Sequence, residues 1–232
     1  MAGEMVEFES NGGTAQGYLS IPASGSGPGV VVIQEWWGLV PHIKDVADRF
    51  ASEGFVALAP DLYRGKTTTS PDEASKLMMA LSIGETEKDL RGAIRYLLAH
   101  RAVAGDKVGT VGFCMGGALS LYAASKNPQV GACVTFYGIH PQAELENLQA
   151  PVLGLYAEQD TFVTLDRVRE LEAKLKRLGK PAEIHVYQGT NHAFFNDTRP
   201  EVYNREAAAD AWQRTIAFLR QHLGQKAAGS RQ

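Results

Sequence analysis

Cysteine is scarce in this chain of 232 residues: only Cys114 and Cys133 are present. Two thiols in apolar stretches do not make a disulfide framework. The opening residues MAGEMVEFES are acidic and lack the basic start and apolar centre of a secretory leader. Two free thiols and a cytoplasmic location are therefore expected. Long apolar runs are missing as well. None approaches the roughly 18 residues that a membrane-spanning helix needs, so no membrane partner is expected. An excess of positive charge is absent too. The 23 Lys and Arg stand against 26 Asp and Glu, and they are scattered rather than striped, which argues against a nucleic-acid partner. The densest charge, DRVRELEAKLKRLGK from Asp166 to Lys180, keeps Val168, Leu171, Leu175 and Leu178 at helical spacing and reads as the solvated face of a helix. No spacing of metal ligands is visible, and no metal or organic cofactor is expected.

What is present is alternation. After an extended N-terminal stretch from about Met5 to Ile21 and a turn at SGSGPG, short β-branched runs (VVVIQ, FVALAP, KVGTVGF, GACVTFYG, APVLGLYAE, AEIHVYQG) alternate with amphipathic segments of ten residues or more. Such alternation implies right-handed crossovers and a doubly wound, mostly parallel sheet with helices on both faces. One α/β domain over residues 1–223 is expected, with the low-complexity piece GQKAAGSRQ, 224–232, as a flexible tail. In sheets of this kind reactive groups belong at the carboxyl ends of the strands.

One such end carries VGFCMGG. Gly112, Cys114 and Gly116 form G-x-C-x-G between a strand and a helix beginning near Met115, the pattern of a nucleophile elbow with sulfur in place of oxygen. The flanking glycines remove side chains that would clash in a sharp, strained turn, and the helix N-terminus favours a thiolate. An elbow nucleophile calls for an acid and then a histidine later in the chain. Asp160 follows APVLGLYAEQ and His192 follows AEIHVYQGTN, each just past a strand and in the required order. Asp166 reads as a first-turn charge, Cys133 as a buried hydrophobe, and His42, His140 and His185 as packed or surface histidines. Glu35 arrives at the same sheet edge, beside Trp36 and Trp37, where desolvation would raise its pKa and suit it to take a thiol proton; a capping or ion-pairing role fits it equally. The amides of Trp36 and Met115 are the expected oxyanion donors. Tyr137 and Phe194 are candidate pocket walls.

Taken together, QEWWG, DLYRG, DLRGAIRYL, VGFCMGG, AEQD and NHAF resemble the dienelactone hydrolase (carboxymethylenebutenolidase) family of α/β-hydrolases, over about Val6 to Leu223. The resemblance implies the α/β-hydrolase fold, a triad of Cys114, Asp160 and His192, and a monomer. It also implies that Glu35 meets the thiol and takes its proton when substrate binds, which would protect an idle thiol from oxidation. One departure stands out. The family holds a substrate carboxylate with two arginines, one in the helical region before DLRGAIRYL and one four residues after the catalytic histidine. Here SPDEASKLMMA has no arginine and Asn196 occupies the second place. Arg199 lies about one turn too far unless its loop folds back, and Lys76 offers only a point charge.

The expected activity is cleavage of an ester or lactone through a Cys114 thioester. A thiolate leaves readily from a tetrahedral intermediate, so substrates with good leaving groups, such as enol lactones, suit it best. A general carboxylesterase or thioesterase on the same scaffold and a non-catalytic thiol-bearing relative are the alternatives. The presence of all four residues, Cys114, Asp160, His192 and Glu35, weighs against the second.

Overall fold

In the computed structural model, residues 2–224 are described. They build eight strands and six α-helices: β1 Glu4–Ser10, β2 Gly13–Ser20, β3 Gly29–Ile33, α1 Pro41–Ser52, β4 Val56–Pro60, α2 Pro71–Ala80, α3 Ile83–Ala99, β5 Val108–Phe113, α4 Met115–Lys126, β6 Val130–Phe136, β7 Val152–Ala157, α5 Leu165–Arg177, β8 Ala182–Tyr187 and α6 Arg205–Leu223. The sheet order is β1-β2-β4-β3-β5-β6-β7-β8, with every pair from β4 to β8 parallel. This is the mostly parallel, doubly wound sheet that the alternation predicts. The expected flexible tail lies outside the described residues, apart from Gly224.

The N-terminal stretch differs from its sequence reading. It is a hairpin, with β1 antiparallel to β2 and β2 antiparallel to β4. The reversal occurs at Asn11-Gly12, both at positive φ (53° and 72°), the conformation that Asn-Gly supplies in two-residue hairpin turns.

The central strands are buried on both faces because alternate residues feed different helical layers. Val30 and Val32 of β3 pack in one cluster with Phe50 of α1 and Leu219 of α6. Val31 and Ile33 pack in the other with Leu90 of α3, Leu121 of α4 and Leu171 of α5. In α5 the predicted stripe is borne out at Val168, Leu171 and Leu175, while Asp166 is a solvated first-turn charge paired with Arg169. Cys133 is fully buried in β6, and both thiols are free.

Helix α2 is different. Ser70 caps it and Pro71 begins it, yet Ala74 is its only buried residue, so the core contributes little to holding it. Among the described residues no helix is long and apolar enough to cross a membrane.

Candidate active site

Cys114 stands between the last residue of β5 and the first of α4, at φ 57° and ψ −117°. For a non-glycine residue that is a strained conformation, costing on the order of 1–3 kcal/mol. It persists because its surroundings fix it: the Cys114 N–H donates to Phe136 O at 3.0 Å and its carbonyl accepts from Ala118 N at 3.1 Å. The glycines make the turn sterically feasible. A Cβ on Gly112 would lie 1.8 Å from Gly116 O, and one on Gly116 would lie 2.2 Å from Ile33 O.

The acid and the histidine come from neighbouring loops. Asp160 follows β7, is buried, and receives the N–H groups of Phe162 (2.7 Å) and Val163 (2.9 Å) on Oδ1. That leaves Oδ2 for His192, whose Nδ1 lies 2.6 Å away. The loops after β7 and β8 are stitched together by Glu158 N to Tyr187 O and Gln159 N to Thr190 O. Burial presses the His192 pKa down, but its interactions with Asp160 and Cys114 outweigh burial and lift it to about 10.

Glu35, two residues past β3, is buried. Burial pushes its pKa up to about 7, against the opposing pull of the Asn196 hydrogen bond and of the His192 and Arg199 charges. Asn196 Nδ2 donates to Oε2 at 2.8 Å, while Oε1 is buried without a partner among the described residues. Tyr137 is also buried at positive φ (41°), with its ring 5.0 Å from that of His192 and its hydroxyl without a hydrogen-bond partner among the described residues.

Glu35, Cys114, Tyr137 and His192 line a cavity of about 520 Å³, together with Trp36 and Met115. The amides of Trp36 and Met115, proposed from sequence as oxyanion donors, are free of hydrogen bonds within the described residues. A larger groove, about 660 Å³, beside Lys126 and Glu144 has no cysteine or histidine in its lining.

Two expectations change. Phe194 does not line the cavity. It is fully buried behind the wall, its ring 5.5 Å from Tyr137 and 5.0 Å from Tyr187, because the chain turns at Ala193 (φ 66°). Arg199, by contrast, does reach the site. Asn196 N bonds Ala193 O and Arg199 N bonds Asn196 O, so the loop folds back and lays the guanidinium over the Trp37 ring, 5.5 Å from its centroid, at the cavity wall. Lys76 is exposed and is not part of the lining. The sequence reading had no role for Arg167 or Phe162, which also line the cavity. Their place depends on how two loops meet, since Arg167 bonds both Phe162 O (3.1 Å) and Ile139 O (3.4 Å).

Comparison with known proteins identifies the family of the chain. Residues 15–223 match the Dienelactone hydrolase family. The chain is 43% identical to protein usf of Aquifex pyrophilus, over 95% of this chain and 99% of that one. It is 37% identical to a provisionally named carboxymethylenebutenolidase of Aquifex aeolicus strain VF5, with the same coverage. A solved structure from Klebsiella pneumoniae subsp. pneumoniae MGH 78578, provisionally named a dienelactone hydrolase, superposes with a TM-score of 0.85 at 32% identity, covering 95% of this chain and all of the other. With its elbow cysteine, its α/β-hydrolase sheet and these relatives, the chain belongs to the dienelactone hydrolase family of hydrolases.

Proposed function

We propose that the protein hydrolyses an activated ester or lactone, of the enol-lactone type, through a thioester on Cys114. The observation that carries this reading is the placement of Cys114 and His192 along one cavity, with His192 held from behind by the buried Asp160 at 2.6 Å. On substrate binding, Glu35 takes the thiol proton, so the nucleophile is armed only when the site is filled. The thiolate attacks the carbonyl, whose oxygen is received by the amides of Trp36 and Met115. The leaving group departs with the proton of the His192 imidazolium.

Acylation then changes the histidine. Part of what holds its pKa near 10 is Cys114. Once the sulfur is a neutral thioester that contribution is gone, while burial still disfavours the cation. His192 thereby becomes a base as water must be activated, with Asp160 fixing its orientation. Water gives its proton to His192 and its hydroxyl to the acyl carbon, the thiolate is expelled, and Glu35 returns its proton to sulfur.

The folded-back Arg199, its Nε paired with Glu201 at 2.8 Å, brings a guanidinium to the site by a route different from the family's expected position. It supports a substrate carrying a carboxylate near the reacting carbonyl, held against the Trp37 face. The test is a panel of enol lactones and aryl esters with wild type, Cys114→Ala and His192→Ala. Turnover should fall by roughly a thousandfold or more in both variants. Unchanged turnover in Cys114→Ala would end this reading.

A further inference from the structure

The cavity is larger than the triad requires, and its two ends differ in chemistry. Its volume of about 520 Å³ lies in the range of roughly 300–1,000 Å³ typical of sites for drug-sized ligands. Over β3 stand Trp37 and Arg199. Over β6 and β7 stand Ile139, Pro141 and Phe162. The order β3-β5-β6-β7 separates the two ends by three inter-strand steps, roughly 14 Å. Cys114, at the end of β5, lies between them.

The apolar end has no structural reason to be apolar. Phe162 is 65% exposed, so the core does not need its side chain. Yet Phe162 is precisely held. Its N–H is bound by Asp160, its carbonyl by Arg167, and its ring lies 5.0 Å from that of His192. Arg167 directs its guanidinium at the carbonyls of Phe162 and Ile139, so the fork is engaged by the protein itself. Large apolar groups fixed at a cavity mouth and left uncovered gain burial only when a ligand covers them.

Resting on the hydrolytic reading above, we infer that this end is a second subsite, which takes an aryl or medium-length alkyl arm on the far side of the scissile carbonyl from the anion at Arg199. Phe162 is its specificity-determining residue. The substrate is then an elongated, singly anionic ester or lactone rather than a compact ring alone.

Calorimetric titration of Cys114→Ala with hexanoate and 6-phenylhexanoate tests this without turnover. The phenyl acid should bind about thirtyfold more tightly, the gain from burying one aromatic ring. Phe162→Ser in the same background should cut that ratio to about fivefold or less. Arg199→Gln should weaken both acids by one common factor. Equal binding of the two acids to the parent, or a ratio untouched by Phe162→Ser, overturns the subsite. If the selectivity is found but the wild type cleaves no ester of either kind, the subsite stands and the hydrolytic reading falls.

Discussion

Asn196 holds Glu35: its side-chain amide donates across 2.8 Å to a buried carboxyl oxygen that lies 161 residues earlier in the chain. One hydrogen bond does not offset complete desolvation, and the carboxyl titrates near 7 instead of its usual 4.5. The sign of the linked stability follows. A folded-state pKa raised above the unfolded one favours the fold below pH 4.5, and that advantage is lost as pH rises to about 7. Glu35→Gln keeps an acceptor for Asn196 and removes the charge. It should therefore stabilise the protein at pH 8 by up to about 3 kcal/mol, with little gain at pH 5, in denaturant titrations at the two pH values. An equal effect at both would show that the buried charge is not what matters.

The same titration governs activity if Glu35 accepts the thiol proton. Below its pKa it is already protonated and cannot do so. The rate kcat/KM on an activated aryl ester should climb with pH through about 7 and then level. In Glu35→Gln that limb should vanish and the plateau rate should drop by roughly 10²–10⁴-fold. Persistence of the limb in the variant would assign it to another group.

The elbow glycines give a steric prediction. Gly116→Ala sets a methyl 2.2 Å from Ile33 O, which no rotamer relieves, so α4 must part from β3. A loss of about 3 kcal/mol or more is expected. Gly84→Ala in α3 meets nothing nearer than 4.0 Å and should be neutral or stabilise by up to about 1 kcal/mol. Thermal unfolding of the pair checks both, and comparable melting temperatures would contradict the steric account.

Arg199 should sort substrates by charge. Arg199→Gln removes a charge-assisted contact, so KM for a carboxylate-bearing ester should rise about tenfold or more while that for a neutral ester of the same size stays put. Equal changes for the two would place Arg199 in loop structure rather than in binding.

The sheet and the order Cys114, Asp160, His192 were legible because each rests on local signals: β-branched runs, glycines around one residue, and polar residues just beyond strands. The hairpin was missed, because the stretch reads as one extended segment when only apolar spacing is followed; the signal that marks it is the Asn11-Gly12 turn. Asn196 and Arg199 were harder. Their roles depend on the turns that fold residues 193–199 back over Trp37, and counting from His192 gives only an offset along the chain. Phe194 failed for the same reason, since the turn at Ala193 directs it into the core. Phe162 carries no sequence signal of function; it is set by the hydrogen bonds that orient Asp160.

The central claim is a covalent one, and acid-quenched mass spectrometry of the enzyme during turnover of a p-nitrophenyl ester tests it most directly. The predicted result is an added acyl mass on the peptide that contains Cys114, labile to hydroxylamine and accumulating in His192→Ala relative to its rate of loss. An acyl group on any other residue, or rapid turnover by wild type with none trapped in either protein, would contradict it.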